Sequence, residues 1–118
     1  MIQSDIFRIL SEASEINSIV GNRIYPINLP CKEPVPAIVY TIESIDPLVT
    51  LNGEVGIDNG KIEIICWSKD YSQAHALAQA VRNAFSESGT FITTESMQDL
   101  QDEDTKTYGV VMNMNSLQ

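Results

Sequence analysis

Positive charge is scarce in this chain. Its 118 residues include 7 Lys and Arg against 16 Asp and Glu, a formal net charge of -9. Proteins that grip nucleic acid gather cations into a patch or stripe that meets the phosphates. Here Arg8, Arg23, Lys32, Lys61, Lys69, Arg82 and Lys106 are spread along the chain, so the overall field repels a phosphate backbone. Histidine is scarcer still: His75 is the only one. A nucleophile activated by a neighbouring imidazole therefore has one candidate base, and no serine or cysteine motif accompanies it. The two cysteines, Cys31 and Cys66, match no metal or redox spacing. Cys66 sits in an apolar strand pattern and reads as a core residue, with both thiols expected reduced and a Cys31–Cys66 bridge as the alternative.

Other absences narrow the function further. No run approaches the ~18 apolar residues of a membrane helix. The opening MIQSDIFRIL lacks a basic segment followed by an apolar one, so a cleaved leader is not expected. There is no G-x-x-x-x-G-K-[ST] and no G-x-G-x-x-G to cradle phosphate. The one dense acidic run, Asp102-Glu103-Asp104, lacks the alternating ligands and turn glycine of a calcium loop and reads as a surface turn. No catalytic, cofactor-binding or metal-binding residue is assigned.

What is present is a foldable core. Hydrophobic residues make up 43% and charged residues 19%, which supports one domain over residues 1–118. From Ser4 to Val20, apolar residues recur every three or four positions (Ile6, Ile9, Leu10, Ala13, Ile16, Val20, with Ile2 just before), which predicts one amphipathic helix. Ser4 is its expected cap and Gly21 its expected stop. Arg23–Ile27 can form a short strand, and the prolines at 30, 34 and 36 forbid a central strand or helix interior over Leu29–Val35. Ala37–Ile45 and Lys61–Ser68 alternate as strands. Asp70–Phe85 predicts a second helix, capped by Asp70 with Gln73 three residues on, and buried along Ala74, Leu77, Ala78, Val81 and Phe85. Phe91–Met97 is a weaker strand, Asp99–Asp104 a solvated turn, and Thr107–Asn115 the last strand, with Tyr108, Val110, Met112 and Met114 inward. The order α-β-β-β-α-β-β with short connections predicts an α+β fold: a mainly antiparallel sheet of four or five strands with two helices packed on one face.

Pro47–Gly60 carries Asn52-Gly53, Gly56 and Asn59-Gly60, which are turn signals, yet also Leu48, Val49 and Leu51. Large aliphatics on a loop need a core or a partner to cover them. They are read either as a hairpin tip folded back on its own sheet or as an intersubunit contact. The candidate protein-interface residues are Leu48, Val49, Leu51, Asn52, Glu54 and Val55.

The chain resembles the tail-completion, or tail-terminator, proteins of long-tailed bacteriophages and prophages. The likeness is carried by Gly21-Asn22-Arg23-Ile24-Tyr25-Pro26, Val35-Pro36-Ala37-Ile38-Val39-Tyr40 and Leu51-Asn52-Gly53. It continues through Ile62–Ser68 into Tyr71 and the alanine-rich helix, and ends with Tyr108–Asn113. Phe91–Asp104 is its least recognisable stretch. The resemblance implies a structural protein rather than an enzyme. It implies a homo-oligomer, a hexameric ring that caps the major tail tube protein, ends its polymerisation and meets the head-completion or connector protein. DNA passes through such a ring without sequence-specific binding, and no membrane is involved. The implied location is the virion tail, and the host cytoplasm during assembly. An acidic lumen would keep the passing duplex from sticking. The alternatives are another small virion component, such as a head-closure or tail-tube protein, and a metabolite-binding or enzymatic domain with a pocket near Trp67 and His75.

Overall fold

The computed structural model describes residues 2–27, 35–89 and 92–117. Cys31 with its alternative bridge, Pro30, Pro34 and Phe91 lie outside the described residues, as do the side chains of Ile2, Glu54 and Val55. Among the described residues, three helices, α1 (Ile2–Glu12), α2 (Ser14–Val20) and α3 (Tyr71–Glu87), accompany five strands. The strands are β1 (Ile24–Pro26), β2 (Ala37–Thr50), β3 (Gly53–Ser68), β4 (Ile92–Asp102) and β5 (Thr107–Leu117). They form one sheet in the order β1-β2-β3-β5-β4. Only β1 and β2 run parallel; the other neighbours are antiparallel. The expected α+β class and the helix-covered sheet are what the structure shows.

The expected first helix is divided. Ala13 takes an extended conformation (φ -75°, ψ 119°) between α1 and α2. The break is stabilised locally, because the Asn17 side-chain amide donates to the Ser11 carbonyl at 2.6 Å, replacing a helical partner. Ser4 lies inside α1 rather than capping it, and Asp5 occupies the first turn. The apolar stripe survives the break, since Ile6, Ile9, Leu10, Ile16 and Val20 are all buried. Gly21 follows α2, its N–H donating to the Asn17 carbonyl at 2.9 Å.

α3 starts as its sequence predicts. Asp70 Oδ1 accepts the Ser72 N–H at 3.0 Å. Gln73 does not turn back to close a capping box; its Oε1 accepts the buried Ser68 hydroxyl at 2.6 Å, which ties the end of β3 to the helix. Ala74, Leu77, Ala78, Val81 and Phe85 form the buried stripe. Alanines let the helix lie close to Ile62, Ile64 and Cys66 of β3 and to Val110, Met112 and Met114 of β5. Burial pushes the Cys66 thiol well above its ordinary range, which makes it a packing residue and not a nucleophile.

Arg23 joins helices to sheet. Its Nε donates to the Pro36 carbonyl at 2.8 Å, and Nη2 lies 3.4 Å from the Ile19 carbonyl at the end of α2. Its own carbonyl accepts the Ile38 N–H at 3.0 Å, setting the parallel register of β1 against β2.

Four strands run past their predicted bounds, β5 only from Asn115 to Leu117. β2 passes through Asp46-Pro47 to Thr50, and β3 begins at Gly53 instead of Lys61. Pro47 is tolerated because the β2–β3 ladder shifts there, between Pro47 and Val49. β4 runs on through Asp99–Asp102, the stretch expected to be a turn, because β5 supplies a partner for each residue down to the Asp102–Thr107 pair. The true turn, between Asp102 and Thr107, is held by Asp102 Oδ1, which accepts the Asp104 N–H at 3.0 Å.

Candidate functional site

The Pro47–Gly60 segment is a hairpin that projects from the domain. At ~3.3 Å per residue a straight strand of 16 residues, the length of β3, reaches about 50 Å, matching the longest molecular extent of 51 Å. Its lower half lies under α3 and its upper half, paired with β2, extends beyond the helices. Pairing continues to Val49–Glu54 and Thr50–Gly53, and Leu51-Asn52 make the turn. Gly53 adopts φ 101°, a backbone that an L side chain rarely takes. Thr50 Oγ1 accepts the Asn52 N–H and donates to the Gly53 carbonyl, both at 3.2 Å, so the tip is ordered by its own residues.

This hairpin is not folded back onto its sheet. Leu51 is 106% exposed, Val49 68% and Leu48 38%, and Ile45 and Ile57 also face solvent. Asn52 is exposed beside Leu51 at the tip. Glu54 and Val55 belong to the returning strand β3, and their side chains are outside the described set. The structure thus brings the six predicted interface residues together at one end of the molecule. Sequence reasoning missed Ile45 and Ile57, whose alternation with polar neighbours was masked by Asp46-Pro47 and Asn59-Gly60.

At the base of the hairpin two carboxylates meet. Desolvation, then the charge of Glu43 and a hydrogen bond with it, raise the Glu63 carboxyl above its ordinary range. From Glu43 to Asp58 the hairpin carries Glu43, Asp46, Glu54 and Asp58 and no Lys or Arg. An arm of aliphatics and acids suits a protein surface and repels phosphate.

The sheet face away from the helices is only partly exposed: Ala37, Val39 and Gly109 are buried, and Ile65, Trp67 and Val111 are half-buried. Val39, Ile65 and Val111 align across three strands, and Ala37, Trp67 and Gly109 form the next row. Trp67 lies against Gly109: a Cβ there would meet its ring at 3.1 Å and Ile65 Cγ2 at 3.3 Å. Trp67 is thus a packing residue of that face. His75 lies on the other side of the sheet, on α3, so the two cannot line a common pocket.

His75 belongs to a surface cluster that fastens β4 to α3. Its Nε2 lies 2.7 Å from Asp99 Oδ1, and the Tyr71 hydroxyl donates to Asp99 Oδ2 at 2.5 Å. The Tyr71 hydrogen bond first, and that of His75 second, hold the Asp99 carboxyl below its ordinary range, and the same contact raises the Tyr71 phenol. Tyr108 packs edge-on against Tyr71 at 5.7 Å. No serine or cysteine joins this cluster, and among the described residues no group of three or more His, Cys, Asp and Glu could hold a metal ion. No described helix is long and apolar enough to cross a membrane.

Comparison with known proteins gives a family and a fold. The family model described as "Tail completion protein gp17" matches residues 4–117. No curated protein matches the chain. A chain of the solved structure "Virion of native gene transfer agent (GTA) particle" has the same fold, with a TM-score of 0.68 and 14% identity, covering 98% of this chain and 92% of that one.

Proposed function

The chain belongs to the Tail completion protein gp17 family, and from that premise we propose that it is a structural protein of a phage tail and closes into a ring on the tail tube. In this reading, about six copies associate head-to-tail and the ring closes with no free patch, which fixes its size. The ring caps the tube at its head-proximal end, ends tube polymerisation and offers its other side to the head connector. DNA passes through without base-specific contact. No catalytic step is assigned to any residue.

The observation that carries this reading is the projecting hairpin with Leu48, Val49 and Leu51 uncovered at its end. A single copy gains nothing from exposing them, whereas an assembly protein gains an arm that reaches a neighbour or the tube. The acidic composition fits a channel through which a duplex must slide without adhering.

The test is solution mass by light scattering over a concentration series, followed by tube assembly with and without the protein. A closed oligomer that shortens tubes or halts their growth supports the reading. Open filaments of this chain alone would instead favour a tube-forming role. A protein that neither self-associates nor binds tube ends overturns it.

A further inference from the structure

The sheet ends in two unfinished edges. On one side, among the described residues, β4 pairs with β5 alone. On the other, β1 pairs with β2 only at Ile38–Tyr40, so β2 has no second neighbour from Thr41 to Thr50 among the described residues. Edge strands of monomers are commonly blunted by Lys, Pro or bulges. β4, ITTESMQDLQD, has no Lys, Arg or Pro and one irregularity near Thr94 and Ser96, while the free stretch of β2 carries two ladder shifts and Pro47, which withholds one N–H from a partner there. Two of its three acids are engaged within the subunit, Asp99 by Tyr71 and His75 and Asp102 by the amide of Asp104. Both edges also expose large apolar side chains: Met97 and Leu100 on β4, and Ile45, Leu48 and Val49 on β2.

We infer that β4 of one copy pairs antiparallel with the distal half of β2 of the next, making one continuous sheet around the assembly. This rests on the ring reading and names the contact that builds it. Strand direction agrees. Across the order β2-β3-β5-β4 every neighbour is antiparallel, so β4 runs opposite to β2. A rotation about an axis along the strands preserves these directions and sets β4 antiparallel to the neighbour's β2. The contact joins two different edges, as a ring requires, whereas β4 against β4 would stop at a dimer.

The offset agrees as well. Followed across the ladder, Ile92 lies level with Ser116, Gly60 and Ile45 of its own copy. Because β1 occupies Ile38–Tyr40, β4 fits the free edge only when the next copy is displaced by about five residues, or ~17 Å along the strands. Four strands per copy span ~19 Å across the sheet. The resulting tilt is about 40°, inside the 35–45° at which sheets close on themselves. The displacement that the free edges demand is therefore one that closure also demands, and the pairing covers Met97, Leu100, Ile45 and Leu48 together.

Cross-linking tests the pairing directly. Gln98, Thr41, Ser44 and Asp46 lie on the face of the sheet away from the helices. In a Cys31→Ser background, with Cys66 buried, Gln98→Cys is combined in turn with Thr41→Cys, Ser44→Cys and Asp46→Cys and treated with a short bismaleimide. At least one combination is expected to give a ladder of covalent oligomers, and an equimolar mixture of the matching single variants only dimers. Adding Leu100→Lys is expected to abolish the ladder. No cross-link in any combination overturns the inference, and a closed oligomer by mass in that case leaves the ring reading standing. Covalent dimers from Gln98→Cys alone overturn it in favour of a β4–β4 contact. A ladder from particles that are open filaments by mass keeps the β2–β4 pairing and rejects the ring.

Discussion

Replacing Leu48, Val49 and Leu51 together with Ser separates folding from assembly. A fully buried Leu or Val side chain contributes roughly 1.5–3 kcal/mol. Exposures of 38%, 68% and 106% mean that the subunit buries most of Leu48, about a third of Val49 and none of Leu51. The isolated fold should therefore lose about 1.5–3 kcal/mol, within the ~5–15 kcal/mol of a typical domain. The exposed remainder amounts to about two side chains. If a partner covers it, association loses about 3 kcal/mol or more, which is roughly a hundredfold or greater in dissociation constant. Three comparable truncations at Ile38, Ile64 and Met112, all fully buried, would cost ~2–5 kcal/mol each and unfold the chain. Urea denaturation followed by Trp67 fluorescence reads the first quantity, and light scattering on dilution reads the second. A loss of fold stability above about 4 kcal/mol would put the hairpin tip in a core. Unchanged self-association and unchanged tube binding together would show that the exposed aliphatics are not an interface.

Arg23→Ala removes two part-buried hydrogen bonds from a charged donor, to Pro36 and Ile19. It should cost about 2 kcal/mol in urea, and a loss under about 0.5 kcal/mol would deny Arg23 its joining role. Glu63 holds its proton more tightly folded than unfolded, so stability falls as pH rises from its ordinary value of 4.5 through the folded pKa. Glu63→Gln should therefore stabilise the protein at pH 7 and flatten that slope; destabilisation at pH 7 contradicts the assignment. Asp99 has the opposite sign: its stabilisation is complete above its ordinary value of 3.8 and is lost as pH falls through the lower folded pKa. In Asp99→Asn the acid-side fall in thermal midpoint should shrink, and an acid limb identical to that of the parent protein would refute the Tyr71–Asp99–His75 tie.

Much of this fold is legible in the sequence because local preference and burial agree. The α3 stripe from Ala74 to Phe85, the inward alternation of Ile62, Ile64 and Cys66, and the Asp70 cap each follow from period and residue type. The failures occur where tertiary pairing overrides a local signal. Asp46-Pro47 reads as a strand end, yet β3 pairs with both residues and the ladder shifts just beyond Pro47. Asp99–Asp102 reads as a solvated turn, yet β5 pairs with it and Tyr71 and His75 take up the charge of Asp99. The break at Ala13 has no Gly or Pro to announce it; it is closed by a side-chain bond from Asn17 to Ser11. The candidate interface was visible as aliphatics among turn residues, but its form was not. Whether such residues fold back or project depends on how far the two strands continue to pair, and no local pattern states that.

The charge of the chain makes the nature of its contacts testable through salt. Each copy carries a net charge of -9, so bringing copies together costs electrostatic work at long range. The surfaces proposed to meet, the β4 edge with Met97 and Leu100 and the β2 edge with Ile45 and Leu48, offer backbone groups and apolar area but no cation. Nothing in that contact depends on an opposite charge, while everything that opposes it is screened as the Debye length shortens from ~10 Å at 0.1 M salt toward ~3 Å at 1 M. Self-association should therefore strengthen as salt rises, and apolar burial is not weakened by the same change. Ion pairing across the interface, or assembly scaffolded on nucleic acid, predicts the reverse, since both lose affinity with salt. Sedimentation of the protein at ~0.05 M and ~0.5 M sodium chloride decides between them. Larger species at low salt that dissociate at high salt would show that cations hold the copies together, and the edge-to-edge contact would then be the wrong one.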